Sequence, residues 1–243
     1  INHHELARVL FYGENTLSLK VYEDLEQGSP EWLAARCGLV TASTVGQLIT
    51  PKTVKPAVND YSRGLTATLV AERITGHVEP MQVSQAMLRG QLDEPYARDA
   101  YSEHYAPASE VGFMVKDFGE YKIGYSPDGL VGEGGLIEIK SRAQKKHLQT
   151  ILADEVPIEN VAQIQTGLLV SGREWLDYVS FCSGMPLYVT RVLPDQRWFD
   201  AITGAVAAFE ESAAQMIEAY EVAVDGSPTT ERLDHFAELE IRF

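Results

Sequence analysis

The sequence predicts an α/β fold, and the arrangement of its segments carries that prediction. Between about residues 29 and 105 the segments have helical punctuation and spacing. Between about 110 and 193 the chain is built of short β-rich segments bounded by Gly, Pro or Asp, with one helical pattern at 157–172. An apolar stripe at helical spacing follows at about 196–222. The expected order is helices, three strands, a helix, two strands and a helix.

The composition predicts a single domain with a substantial core. No repeat, low-complexity tract or Pro/Ser-rich linker divides residues 1–243, of which 45% are hydrophobic. No segment approaches the ~20 apolar residues of a membrane span, and no secretory signal is present, so we expect a cytoplasmic protein without a membrane partner. Cys37 and Cys182 lack a Cys-x-x-Cys spacing, which argues against a disulfide scaffold or a thiolate zinc site.

Four helices are expected before the β-rich region. They lie at 29–38, after Thr41 or Ser43, at 60–75 and at 82–105. A proline inside a helix removes a backbone hydrogen bond, so Pro95 indicates a break or a new first turn in the fourth helix. Asp93 would then be an N-cap or a rival ligand candidate.

The charge distribution leaves nucleic acid open as a partner. The formal net charge of −15 argues against it, because phosphate binding usually depends on Lys and Arg. The acidic residues, however, are concentrated over 195–243, whereas Lys140, Arg142, Lys145 and Lys146 cluster. An acidic exterior and a small basic pocket can therefore coexist.

The segment "SPDGLVGEGGLIEIKS" contains the strongest chemical signal in the chain. Side chains alternate along a strand, so Glu138 and Lys140 share one face while Ile137 and Ile139 bury the other. The turn around Asp128 would bring its carboxylate beside Glu138 across a hairpin. Two carboxylates are suitable ligands for Mg²⁺, and an ammonium can orient the water that the metal activates. This arrangement suits phosphodiester hydrolysis.

Other features weigh for and against this interpretation. The same acid-x-Lys spacing occurs at 120–122, so the triplet alone also fits a surface salt bridge beside a turn. Gly90 and Glu94 would lie one helical turn apart, with space beside the carboxylate. Gln163 and Gln165 follow on the next helix, where one amide could reach the site although most helix glutamines are solvated.

Five blocks, "WLAARCGLVTAS", "RGQLDE", "SPDG", "LIEIK" and "AQIQ", resemble in their order the phage-lambda-type alkaline exonucleases. These are viral recombinases within the PD-(D/E)XK nuclease superfamily. The resemblance runs from about Gly28 to Tyr220 and implies a restriction-endonuclease-like core, a central mixed β-sheet flanked by helices. It implies Mg²⁺-dependent digestion, with Mn²⁺ as a substitute, of one strand of linear double-stranded DNA from its 5′ end. The product would be a 3′ single-stranded overhang for recombination, and the expected partners are a single-strand annealing protein and two further copies in a homotrimer ring.

The resemblance also assigns roles to eight residues. The residues that match the family's catalytic machinery are Asp128, Glu138 and Glu94 as metal ligands, Lys140 as the catalytic lysine and Gln163 as the assisting amide. Those that match its 5′-phosphate site are Arg36, Ser43 and Ser126. A serine at a helix N-terminus with an arginine fork is a suitable phosphate seat.

Three alternatives remain at this stage. The chain could be another PD-(D/E)XK nuclease, such as an endonuclease, or a non-catalytic subunit that binds DNA ends. A serine hydrolase using Ser126 in "GYSPDG" is a third alternative. It is disfavoured because Pro127 lacks the backbone N–H that would help to form an oxyanion hole.

Overall fold

The computed structural model describes residues 8–10, 18–80 and 83–233, so the two ends of the expected domain, 1–7 and 234–243, lie outside the described residues. The helices are α1 (Pro30–Arg36), α2 (Asp60–Thr75), α3 (Gln85–His104), α4 (Gln144–Ala153), α5 (Ile158–Ser171) and α6 (Gln196–Ala223), and a 3₁₀ helix spans Val45–Leu48. The strands are β1 (Arg8–Leu10), β2 (Leu19–Tyr22), β3 (Ile49–Thr50), β4 (Lys55–Pro56), β5 (Ala108–Ser109), β6 (Phe113–Asp117), β7 (Lys122–Tyr125), β8 (Gly129–Val131), β9 (Gly135–Ser141), β10 (Trp175–Phe181) and β11 (Tyr188–Val192). In these residues, none of the helices has both the length and the apolar character that a bilayer span requires.

The central sheet is mixed and has five strands in the order β11-β10-β9-β8-β5. β9 and β10 are parallel because α4 and α5 form the crossover between them. The other neighbouring strands of this sheet pair in antiparallel orientation. A second sheet, β1-β2-β6-β7, is antiparallel throughout, and β3 pairs with β4. The expected central mixed sheet flanked by helices is confirmed.

Strand β9 lies between the two apolar clusters of the core. Leu136 faces the larger cluster, which gathers side chains of α2, α5 and α6, whereas Ile137 and Ile139 face a smaller cluster under α3. The predicted alternation along the strand is therefore present. Glu138, on the Leu136 face, is fully buried, so this strand carries a carboxylate into the interior.

Helix α3 runs without a break through Pro95, so the expected break and the N-cap role of Asp93 are both wrong. Pro95 and Gln91 are exposed, and water can therefore replace the hydrogen bond that the Gln91 carbonyl loses. The helix is fixed at its C-terminal half, where the buried Tyr101 hydroxyl donates to Asp177 Oδ2 at 2.7 Å. Arg191 binds both oxygens of the same carboxylate.

Two further expectations fail for local reasons. Instead of a helix after Thr41 or Ser43, the chain forms the short 3₁₀ helix and then β3. Here the Thr44 hydroxyl accepts from the Thr41 N–H, and such local side-chain bonds compete with helix formation. Helix α4 was not predicted, because its sequence is polar and no side chain caps its first turn.

Gly167 of α5 packs directly on the Tyr125 ring, and we expect Gly167→Ala to destabilise the fold. A Cβ at this position would lie 2.7 Å from the ring carbon Cζ, so the buried ring or the helix must shift. Overpacking of this kind costs about 1–3 kcal/mol of the free energy of unfolding, measurable by urea denaturation. The control is Gly204→Ala on α6, where the added Cβ meets nothing within 4 Å and should stabilise by about 1 kcal/mol. A Gly167→Ala protein as stable as the control would contradict the close packing.

Candidate active site

The Glu138 carboxylate is held by two donors on one of its oxygens. Lys140 Nζ donates to Glu138 Oε1 at 2.7 Å, and Gln163 Nε2 donates to the same oxygen at 2.5 Å. The other oxygen, Oε2, is buried and accepts no hydrogen bond in the described part of the chain. Because an unpaired buried carboxylate oxygen is costly, this atom is suited to a cation.

Asp128 lies where the chain passes from one sheet to the other. It follows β7 of the antiparallel sheet and directly precedes β8 of the mixed sheet. Its Oδ2 accepts from the Ile139 N–H at 2.6 Å, so the hairpin of β8 and β9 places it next to Glu138, as predicted. This bond uses only one carboxylate oxygen.

Glu94 approaches the same place from α3. Arg98, one turn later, forms an ion pair with Glu94 and another with Glu110. Arg98 Nε also donates to the Asp128 carbonyl at 2.7 Å, which joins the helix to the connection between the sheets. Gly90, one turn before Glu94, leaves open space, since nothing lies within 4 Å of the position of a Cβ.

The three carboxylates oppose one another's ionisation. Burial, with a contribution from the Asp128 charge, raises the pKa of Glu138 to about 8 and that of Glu94 to about 7. Burial also raises the pKa of Asp128. For Lys140, burial lowers the pKa, but Glu138 and Asp128 outweigh this effect and the pKa is raised. A positive charge among these carboxylates would stabilise their ionised forms.

The donor set fits a hard divalent cation such as Mg²⁺ or Mn²⁺. Carboxylate oxygens suit these ions, whereas zinc sites favour His and Cys, and the unpaired Glu138 Oε2 is available for coordination. Within residues 8–10, 18–80 and 83–233, no group of three His, Cys, Asp or Glu side chains is already arranged around a common point. In this arrangement the Glu94 carboxylate is paired with Arg98.

A second polar cluster, which we call the anion seat, comprises Arg36, Ser43 and Ser126. Arg36 Nη2 donates to Ser43 Oγ and to Thr41 Oγ1, each at 3.2 Å. The guanidinium stacks on Trp32, 3.8 Å from the ring centroid, and Trp32 Nε1 donates to Ser126 Oγ at 3.0 Å. Burial lowers the pKa of Arg36 to about 10, which leaves it charged at neutral pH. An arginine and two hydroxyls can bind an anion.

All eight residues that the sequence singled out line one cleft of about 450 Å³. Strand β9 supplies Glu138 and Lys140, and α5 supplies Gln163. Ser126 and Asp128 come from the connection between β7 and β8, and the other three residues come from α3, α1 and the loop after α1. The expectation that an α-helix begins after Ser43 is wrong, because Thr44 precedes only the short 3₁₀ helix. The anion seat therefore depends on Arg36 and hydroxyl groups, without a helix N-terminus.

Sequence reasoning missed three side chains that connect these parts. Two of them have a signal in the sequence, which is the spacing of four residues that brings side chains together on a helix. Trp32 lies four residues before Arg36, which stacks on its ring, and Arg98 lies four residues after Glu94, with which it forms an ion pair. Thr41 has no comparable signal. It is buried and accepts from Arg36 because the chain folds back at this point.

The chain is similar to known exonucleases over most of its length. Residues 31–174 match the model of the YqaJ-like viral recombinase domain. The crystal structure of the alkaline exonuclease LHK-Exo from Laribacter hongkongensis is 33% identical at a TM-score of 0.72, covering 81% of this chain and 98% of that chain. Its complex with dAMP matches at 34% identity and a TM-score of 0.71, with the same coverage of 81% and 98%. A phage-related exonuclease from Haemophilus somnus 129PT, 12% identical, shares the fold at a TM-score of 0.60, covering 75% of this chain and 96% of that chain. No curated protein sequence matches the chain significantly.

We expect Mg²⁺ or Mn²⁺ to raise the melting temperature, because a ligand that binds only the folded state stabilises it. A gain of about 1–2 kcal/mol in the free energy of unfolding corresponds to about 2–8 °C for a chain of this size, measurable by differential scanning calorimetry. Asp128→Asn and Glu138→Gln should lose this gain. The control Asp60→Asn, which changes an exposed carboxylate on α2, should keep it. An undiminished gain in Glu138→Gln would contradict metal binding by Glu138.

Proposed function

Because the chain belongs to the YqaJ-like viral recombinase family, which includes alkaline exonucleases, we propose that it degrades linear double-stranded DNA in the 5′-to-3′ direction. It is a nuclease that hydrolyses DNA phosphodiester bonds, and nucleases of this family generally depend on a divalent metal. The proposal specifies Mg²⁺ as the metal and a 3′ single-stranded overhang, used in recombination by strand annealing, as the product. The observation that supports it most strongly is that the carboxylates of Glu94, Asp128 and Glu138, which we call the acidic cluster, share one cleft with the anion seat.

In this proposal, Asp128 and Glu138 hold the metal together with Glu94. When bound, Mg²⁺ or Mn²⁺ supplies a Lewis acid that activates a water and neutralises charge on the scissile phosphate. Lys140 and Gln163 hold Glu138 Oε1, which leaves Oε2 available as a ligand. The Lys140 ammonium also brings positive charge to the place where negative charge develops in the transition state.

The anion seat is proposed to hold the terminal 5′ phosphate. Arg36 forms no ion pair in the described residues, so its charge is available to a phosphate. Ser43 and Ser126 would add hydrogen bonds from the hydroxyl groups that Arg36 and Trp32 already contact. The Laribacter exonuclease binds dAMP, a mononucleotide of the kind that an exonuclease releases, and this also supports the proposal.

The alternatives have less support. An endonuclease has no need of a seat for a terminal phosphate. A non-catalytic subunit that binds DNA ends would not need Lys140 and Gln163 on a buried carboxylate. A serine hydrolase requires a base on its nucleophile, but in the described residues the one hydrogen-bond partner of the Ser126 hydroxyl is Trp32 Nε1, which is a donor and cannot take its proton.

Assembly and cellular context complete the proposal. Resemblance to the lambda-type exonucleases supports a single nuclease domain, a homotrimer ring around DNA, a single-strand annealing protein as partner and a location in the cytoplasm. The net charge of −15 is compatible with such a ring, because an acidic exterior repels DNA while the cleft admits it.

The direct test compares a linear duplex with a covalently closed circle of the same sequence. We expect Mg²⁺ and the protein to convert the linear DNA to single strands and mononucleotides, leave the circle intact, and stop when EDTA is added. Gel electrophoresis and release of acid-soluble nucleotides measure both reactions. Equal loss of the circle would favour an endonuclease, and continued cleavage in EDTA would exclude a metal-dependent mechanism.

Arg36→Gln should reduce the preference for 5′-phosphorylated over 5′-hydroxyl ends. The loss of charged hydrogen bonds to a phosphate predicts about a tenfold decrease in kcat/KM on phosphorylated ends and little change on hydroxyl ends. The matched control is Arg63→Gln, an exposed arginine of α2 that pairs with Asp60. If Arg36→Gln kept the wild-type ratio of the two rates, Arg36 would not belong to the seat.

A further inference from the structure

Arg89 is an arginine beside the cleft that has no role in the function proposed above. It lies on α3, one residue before Gly90, and its side chain is exposed. Arg89 Nε donates to Ser141 Oγ at 3.0 Å, and Ser141 Oγ donates in turn to Asp93 Oδ2 at 2.6 Å. The three residues form a chain of hydrogen bonds, which we call the Arg89 relay, between α3 and the end of β9.

The relay fixes the arginine and leaves most of its hydrogen-bonding capacity unused. Nε is the one guanidinium nitrogen with a partner in the described residues, and no acidic side chain there lies within ion-pair distance of Arg89. Asp93, which lies one helical turn after Arg89, accepts a hydrogen bond from the Ser141 hydroxyl and does not contact the guanidinium directly. An arginine fixed in this way loses little side-chain entropy on binding, and its terminal nitrogens match the oxygens of a phosphate.

The position of the relay indicates which phosphate it would meet. Ser141 lines the same cleft as Lys140, its neighbour in sequence, and as Glu138. On the α3 side the cleft is lined by Ala86, Met87, Gly90, Gln91 and Glu94, and a Cβ at Gly90 would meet nothing within 4 Å. The anion seat comes from other elements, so Arg36 of α1 and Lys140 of β9 line the cleft, and Arg89 of α3 lies beside it through its bond to Ser141.

We propose that Arg89 binds a backbone phosphate of the DNA strand that enters the cleft, at a position distinct from the terminal phosphate and from the one that is cut. This inference rests on the proposed function, because it requires DNA in the cleft. Arg89 is a substrate-binding residue, and Ser141 and Asp93 are positioning residues that hold its guanidinium. Its contribution lies in affinity and in the salt dependence of binding, since a phosphate contact releases counterions.

The test measures binding of a fluorescent duplex with one 5′-phosphorylated end, in EDTA so that no cleavage occurs, over a range of KCl concentrations. Arg89→Gln should reduce the slope of log Kd against log[KCl] by about 0.9 and weaken binding at 0.1 M KCl by about tenfold. In steady-state digestion with Mg²⁺, KM should rise by a similar factor while kcat stays within about twofold. Arg63→Gln, the exposed arginine on α2, serves as the control with an unchanged slope.

Two further variants separate charge from position. Arg89→Lys keeps the charge, so it should keep the wild-type slope but bind more weakly, because lysine cannot bind Ser141 and a phosphate with one planar group. Ser141→Ala removes the support for Arg89 and should weaken binding with the slope preserved. An unchanged slope and affinity in Arg89→Gln, with or without a lower melting temperature, would reduce Arg89 to a structural link and overturn the inference.

Failure of the proposed function has a different signature. A wild-type protein that neither binds duplex ends nor digests linear DNA would remove both proposals. A wild-type protein that does both, with an Arg89→Gln variant that matches it, would remove only the role of Arg89.

Discussion

The burial of the Glu138 carboxylate is the constraint on which the rest of the site depends. A fully buried carboxylate is stable only with partners, and the surrounding elements supply them. Lys140 comes from the same strand and Gln163 from the crossover helix, and both bind one oxygen. The second oxygen has no partner in the described residues, and burial, with a contribution from the Asp128 charge, raises the pKa of the group. The site is therefore arranged for a positive charge at one atom.

The meeting of two sheets explains how the acidic cluster and the anion seat come to share a cleft. β7 belongs to one sheet and β8 to the other, and the three residues that connect them include Ser126 and Asp128. Ser126 contacts Trp32 of α1, which carries Arg36, while Asp128 contacts the backbone of β9. Ser126 of the seat and Asp128 of the acids are consequently only two positions apart in the chain, which gives their separation little freedom to vary.

The sequence was informative where the relevant physics is local. Alternation along β9 predicted the faces of Glu138 and Lys140, and the turn before β8 predicted the approach of Asp128. The contact between Trp32 and Ser126 joins residues 94 positions apart, and no pattern within one segment encodes such a contact. The prediction of a helix break at Pro95 was wrong because it used only the tendency of proline to interrupt helices. Pro95 occupies an exposed position, where a helix tolerates proline. Resemblance to a family supplied the long-range grouping that periodicity could not.

Because α3 is one continuous helix, it connects the cleft with the β10–β11 edge of the mixed sheet. Glu94 and Tyr101 are seven residues apart on one continuous helix, so they lie about two turns, or ~10 Å, apart along its axis. Tyr101 is bound to Asp177, which Arg191 holds on the outermost pair of strands. Because the helix is continuous, a substitution at that edge that moved its C-terminal half would also move Glu94, without any direct contact. Natural variation in catalytic efficiency could therefore arise at positions that no inspection of the cleft would single out.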